Sequence, residues 1–293
     1  MRLRIAFPCY CGLSGHILPL KLVMIPCIFF GLFGLLLGSF LNVCILRLPV
    51  GESVVWPGSH CRQCNQPIAA RDNIPVLSYL LLGAACRACG SRIAWRYPVI
   101  ELATCALFVM CCLHFSFSWL AAAWALLCFL LLGLAVMDAE TLLLPDLFTL
   151  PGLGAGVVFA ALRPGLEGDG WGWGTASRAA GWSLLAAAVA AGALLLIAGA
   201  DWMARRRMGM GLGDVKLLAM LAAWLGLRQT GLVLFLAVVA GALYGLRMIL
   251  VNRRGDPSPG QLPVPFGTML SLAGLYSIFL GERTLGWYLQ FFH

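Results

Sequence analysis

Two aspartates stand where an apolar chain has little structural use for them. Asp214 lies in Met208-Gly-Met-Gly-Leu-Gly-Asp214-Val-Lys216, between an apolar run ending near Ala200 and another beginning at Leu217. Asp138 closes the apolar run 120–137 and opens Asp138-Ala-Glu-Thr-Leu-Leu-Leu-Pro-Asp146. A carboxylate at the rim of a membrane is costly unless water, a partner or chemistry keeps it there, so each marks a functional site. Two close carboxylates share one proton because like charges repel. Such a pair can take a proton from water while polarising a carbonyl, which is the hydrolysis of a peptide bond without a covalent intermediate. Gly209, Gly211 and Gly213 clear side chains from around Asp214, so a substrate backbone can approach. Their poor helix propensity predicts a loop or broken helix there.

The second set of reactive groups is Cys61-Arg-Gln-Cys64 and Cys86-Arg-Ala-Cys89, two CxxC pairs separated by 21 residues. That spacing suits a zinc ribbon or knuckle, in which four thiolates close a tetrahedral shell. Each pair is followed by a turn-like stretch, Asn65-Gln-Pro67 and Gly90-Ser-Arg92. Two disulfides or redox centres are the other reading of the same residues. Zinc requires a reducing compartment and so places the loop in the cytoplasm. His60 reads as a surface residue. The remaining eight of the 12 cysteines lie in or beside apolar stretches, where Cys is a small hydrophobe.

The elements that must position these groups are membrane helices. The 293 residues are 61% hydrophobic and 11% charged, with a mean hydropathy of +0.91, a balance no water-soluble globule approaches. Runs near the ~20 residues that cross a ~30 Å hydrocarbon core, without strand alternation, predict an all-α polytopic membrane protein. Eight spans are expected, at about 23–45, 98–113, 119–137, 147–162, 179–200, 217–227, 230–250 and 264–280. In domain terms, 1–22 is an N-terminal extension, with Met24 a more natural start. Residues 23–46 are the first transmembrane helix, 47–97 the cysteine loop domain, and 98–293 the transmembrane domain that carries both aspartates. Gly34 and Gly38 permit close helix approach. The segment 163–177 is expected to be a loop with interfacial Trp171 and Trp173.

Charge then orients the chain. The stretches 47–96, 205–216 and 247–254 hold 13 of the 20 Lys and Arg residues, which puts them inside, the N-terminus outside, and both aspartates on the cytoplasmic face. The net charge of +8 therefore reports topology. No basic face interleaved with aromatics points to nucleic acid. Around the main sites, Asn42 is either an interhelical hydrogen bond or a substrate contact. Glu101 is expected to pair with Arg96 or a helix N-terminus. Glu140 and Asp146 are candidate supporting or leader contacts, Asp146 equally a cap of the following helix. Lys216 either tunes a carboxylate or binds a lipid headgroup.

Taken together, Gly38-Ser-Phe-Leu-Asn42 with Arg47-Leu-Pro49, the two CxxC pairs, Arg96-Tyr-Pro98 with Glu101, Asp138 with Pro145-Asp146, and Gly211-Leu-Gly213-Asp214-Val-Lys216 resemble the bacterial prepilin peptidases, or type IV leader peptidases. The resemblance covers nearly all of the chain from about residue 30. It implies a multi-pass enzyme of the bacterial inner membrane that cuts the short basic leader from type IV prepilins or type II secretion pseudopilins at the cytoplasmic face. Its catalytic aspartates fall on Asp138 and Asp214. The complete cysteine loop implies structural zinc and S-adenosylmethionine-dependent N-methylation of the new N-terminus; no residues are assigned to the methyl donor. The readings outside this class are an ion- or proton-coupled transporter, whose acids lie nearer the bilayer midplane, and a zinc-anchored scaffold, which leaves the aspartates unexplained.

Overall fold

The computed structural model describes residues 20–168, 170–205, 211–251 and 265–291. Among them the chain is all helical, with no strand beyond two isolated bridges, His60 to Pro67 and Ala85 to Arg92. The α-helices are α1 (Leu20–Arg47), α2 (Leu77–Leu81), α3 (Arg96–Phe115), α4 (Trp119–Thr141), α5 (Asp146–Leu166), α6 (Trp173–Arg205), α7 (Leu212–Val251) and α8 (Phe266–Gln290). Most of the predicted N-terminal extension, the tripeptide Met208–Met210 and the turn 252–264 fall outside the described residues.

Six helices, α1 and α3 to α7, are long and apolar enough to cross a bilayer. Among the described residues, the expected sixth and seventh spans lie within α7 as two limbs that meet at Gly226 and so count there once, and the expected eighth, α8, rich in Gly and Ser and carrying Glu282-Arg283, is less apolar than the others. The segment 163–177 is also shorter as a loop than expected, because α5 continues to Leu166 and α6 starts at Trp173.

Helix α4 is the centre of the bundle. Its most apolar window is 67% buried, against 44% or less in the other five. Leu127, Leu131, Leu134 and Met137 of α4 are fully buried in one apolar core with Leu217, Met220 and Leu221 of α7 and Leu270 of α8. On the outside, Ile25, Leu32, Leu36 and Leu196 are exposed, which is the surface a helix offers to lipid. Gly34 and Gly38 let α1 touch α3: a Cβ there would lie 2.9 Å from Cys105 Cα and 2.7 Å from Glu101 Cα.

Within α7, Gly226 adopts φ +75°, ψ +167°, a conformation that glycine tolerates and a side chain resists. A break in apolar surroundings frees backbone carbonyls that need new partners. Two hydroxyls supply them: Ser183 of α6 donates to Ala223 O at 2.9 Å, and Thr230 to Gly226 O at 2.8 Å. The stub 212–225 is thereby fixed as a separate, largely buried rod that carries Asp214 at its start.

Candidate active site and cysteine cluster

Asp138 sits one turn before the end of α4 and is 4% exposed. The helix stops because Leu142 turns into the left-handed region at φ +57°, its N–H returning to Asp138 O at 2.9 Å. The carboxylate then meets the start of α8. Thr268 N–H donates to Asp138 Oδ2 at 2.6 Å, and Thr268 Oγ1 lies 2.9 Å from the same oxygen and 3.0 Å from Ala135 O. A hydroxyl has one proton, so Thr268 serves either oxygen in turn. The positive end of α8 faces the acid, an arrangement that favours negative charge. Gly267 makes the approach possible, since a Cβ there would stand 3.0 Å from Asp138 Cγ.

Asp214 lies in the first turn of α7, its N–H bonded to Gly211 O at 3.2 Å. The glycine motif thus ends as a helix start, rather than as a wholly irregular loop. Leu144, in the link between α4 and α5, packs against both glycine turns: a Cβ on Gly213 would be 3.0 Å from Leu144 Cβ, and one on Gly267 2.9 Å from Leu144 Cδ1. Two carboxylates from helices far apart in sequence therefore stand at helix ends that pack on the same residue, Leu144, beside the start of α8.

Ion pairs flank this site. Lys216 Nζ reaches Asp146 Oδ1 at 2.6 Å, tying the starts of α7 and α5. Asp146 is the first residue of α5, after Pro145, and its side chain makes no capping bond, so the helix-cap expectation gives way to that ion pair. Arg96 pairs with Glu140, two residues past Asp138. The expected Arg96–Glu101 pair does not form, because residues five apart on α3 project to different sides. Glu101 takes the other expected partner, a helix N-terminus: it accepts from Val76 N–H, at the N-cap of α2, at 2.7 Å. Asn42 and Arg47 also stand away from the aspartates. Asn42 Nδ2 donates to Tyr97 O at 3.1 Å, an interhelical bond, and Arg47 donates to Ser53 O and Gly58 O in the cysteine loop at 2.9 and 3.2 Å.

In that loop the chain writes one knuckle twice. Cys61 N–H bonds to Gln66 O and Cys86 N–H to Ser91 O; Asn65 N–H returns to Cys61 O and Gly90 N–H to Cys86 O. Asn65 (φ +56°) and Gly90 (φ +71°) take the same left-handed turn after the second cysteine of each pair. The sulfurs of Cys61, Cys64, Cys86 and Cys89 all lie within 4.8 Å of one another, with Cys61 and Cys89 3.9 Å apart. Thiolates ~2.3 Å from a tetrahedral zinc would stand at nearly that separation, so the donor set fits the ion. Backbone N–H groups of Cys64 and Gln63 pull the Cys61 thiol down to about 6 and Ser91 lowers Cys89, while Cys64, against the pull of the Gln66 backbone, is pushed up to about 11 by burial and the neighbouring thiols, so like charges in the cluster compete for ionisation. His60 is not in the cluster and turns to Gly58 O at 3.1 Å. Arg87, between the second pair, makes a two-pronged bond to Asp72 and holds that carboxyl below the usual range.

Comparison with known proteins supplies the family. Residues 32–115 match the bacterial peptidase A24 N-terminal domain, and residues 124–246 the type IV leader peptidase family. A prepilin leader peptidase/N-methyltransferase of Aeromonas salmonicida is 35% identical over 91% of this chain and 96% of its own length. This chain belongs to the type IV leader peptidase family. Within it, the proteins of the same name from Pseudomonas aeruginosa and Neisseria gonorrhoeae are 35% and 32% identical, over 89% and 87% of this chain and 92% of each relative. No solved structure matches the chain. As a type IV leader peptidase family member it is a multi-pass membrane enzyme. The groups that sequence reasoning passed over are Gly267 and Thr268. Their signal was Pro263-Val-Pro265 before a small residue at a helix start, a pattern that fixes where a helix begins but not what its first turn touches.

Proposed function

We propose that this chain is an aspartic endopeptidase that removes the leader from prepilins or pseudopilins at the cytoplasmic face of the inner membrane and then methylates the exposed N-terminus. The observation that supports the peptidase reading is that Leu144 packs against both Gly213, next to Asp214, and Gly267, which adjoins the Asp138 carboxylate. One carboxylate takes a proton from water as that water attacks the scissile carbonyl, and the other, protonated, supports the carbonyl oxygen. Thr268 orients the Asp138 carboxylate through Oδ2. Gly211 is exposed and open, so a peptide backbone has access beside Asp214 there, whereas the space at Gly213 is taken by Leu144.

The methylation reading rests on the names of the relatives together with the intact cysteine loop. S-adenosylmethionine, when bound, supplies an electrophilic methyl group. The new terminal amine, having given one proton to water, forms the N–C bond while the C–S bond breaks and its electron pair stays on sulfur. Zinc held by Cys61, Cys64, Cys86 and Cys89 is structural in this scheme, since four protein ligands leave no open position.

The purified chain, incubated with a prepilin with and without S-adenosylmethionine, is expected to give a cleaved product, and a product 14 mass units (~14 Da, one CH2) heavier only with the donor. Asp138→Asn and Asp214→Asn should each reduce cleavage by about 10²–10⁴-fold while the protein remains inserted. Retained cleavage in either variant sinks the shared-carboxylate mechanism.

A further inference from the structure

Away from the aspartates and the cysteine loop, two pairs of thiols meet between helices. Cys27 Sγ of α1 stands 3.9 Å from Cys112 Sγ of α3, and Cys111 Sγ of α3 stands 3.7 Å from Cys128 Sγ of α4. The first pair belongs to the seam along which α1 and α3 run antiparallel. A Cβ on Gly38 would lie 2.7 Å from Glu101 Cα, one on Gly34 2.9 Å from Cys105 Cα, and one on Gly31 3.3 Å from Val109 Cγ2. Each step toward the start of α1 is matched by a step toward the end of α3, and the next turn of that register sets Cys27 opposite Cys112. At Gly34 and Gly38 the backbones come well within the ~7 Å between Cα atoms that a disulfide can span.

The two pairs differ in access and depth. Cys111 and Cys128 are both 0% exposed, whereas Cys27 is partly exposed beside a buried Cys112. At ~1.5 Å per residue, α1 runs ~30 Å from Cys27 to Arg47, which is the thickness of the hydrocarbon core. Cys27 therefore stands at one membrane boundary when the base of the cysteine loop stands at the other. The charge bias puts the loop inside, so the first thiol pair lies on the oxidising side. We infer that Cys27 and Cys112 form a disulfide that staples α1 to α3 at the end of the bundle opposite the cysteine loop, while Cys111 and Cys128 stay reduced. This rests on the orientation given above and on none of the catalytic chemistry. The oxidant is a disulfide-carrying oxidoreductase of the outer compartment. Cys27, the reachable thiol, gives up its proton and attacks the carrier's disulfide; Cys112 gives up its proton and displaces the carrier, which leaves as a dithiol with both electrons. The loop 47–97 hangs from the inner ends of the same two helices, so the staple fixes from afar the register that the Asn42–Tyr97 bond holds at the loop's base.

The test uses the full chain in its membrane. Cells are lysed into N-ethylmaleimide, which fixes thiols and disulfides as they stand; the loop is nicked by protease in inside-out vesicles, and the fragments are separated in denaturant with more of the reagent. In the unaltered chain the fragments on either side of the nick are expected to stay joined until a reductant is added. Cys27→Ser and Cys112→Ser should each abolish the joined form, and Cys128→Ser should leave it. Peptide masses from the unaltered chain, which do not depend on how the variants fold, should show Cys27 linked to Cys112 and maleimide on Cys128. Fragments that part without reductant, or a link through any other cysteine, overturn the staple. A loop cut only in right-side-out vesicles overturns the orientation and the staple together.

Discussion

At the scale of single residues, the acid that matters is steered by a threonine. Thr268 touches Asp138 with both its N–H and its hydroxyl, and a hydrogen bond to a charged group contributes about 1.5–3 kcal/mol. Thr268→Val keeps the shape and the backbone donor but loses the hydroxyl. It should lower kcat for leader cleavage by about 10-fold or more with little change in KM, and Thr268→Ser should restore most of it. An equal loss in both threonine variants would assign the residue a packing role. The aspartates stand out in the sequence because a carboxylate at the end of an apolar run is rare. Thr268 does not, since a threonine after a proline turn is ordinary helix-start chemistry. Arg96 and Glu101 show what closeness in sequence leaves open: the helical period sent Arg96 to Glu140, and of the two partners expected for Glu101 it took the helix N-terminus, at α2.

At the scale of elements, the cysteine loop has little apolar core of its own. Its order comes from paired knuckles, from the Arg87–Asp72 clamp and from Arg47, which holds two loop carbonyls. Ligand thiolates are therefore expected to carry much of its folding. Removing the metal with a strong chelator, or replacing Cys61 or Cys86 by Ser, should release zinc and open the loop 47–97 to limited proteolysis while the helices stay intact. Metal analysis beside a digestion time course checks this, and unchanged metal content in the Ser variants would refute the knuckle. The spacing of the pairs disclosed this element because metal chemistry fixes ligand spacing. The boundary inside α7 was placed within a few residues, since apolarity falls off around Arg228-Gln-Thr230, yet the actual break is at Gly226, where backbone freedom decides.

At the scale of the whole molecule, the ends of α1 and α4 and the starts of α3, α5, α7 and α8 gather at one end of the bundle. The contacts among Arg96, Glu140, Asp138, Thr268, Asp146 and Lys216 establish this. Hydropathy gave the helical class and most spans, but it could not assign the central place to α4. All the spans are apolar, and only their mutual packing distinguishes the one that faces protein on most sides. The charge bias predicts that this end faces the cell interior. A membrane-impermeant protease should therefore cut the loop in inside-out vesicles and spare it in right-side-out ones; cleavage in the opposite pattern would reverse the topology.

The glycine break in α7 has a mechanical consequence. At ~1.5 Å per residue the rod 212–225 is only ~21 Å long, shorter than the ~30 Å of hydrocarbon it enters. Below the break, Val215 and Leu217 to Leu225 are buried; beyond it, Phe235, Val238 and Leu243 face outward. The bend at Gly226, held by Ser183 and Thr230, thus lets a short buried piece and a lipid-facing piece follow different directions, so the tip that carries Asp214 is set by protein packing and not by the length of the span.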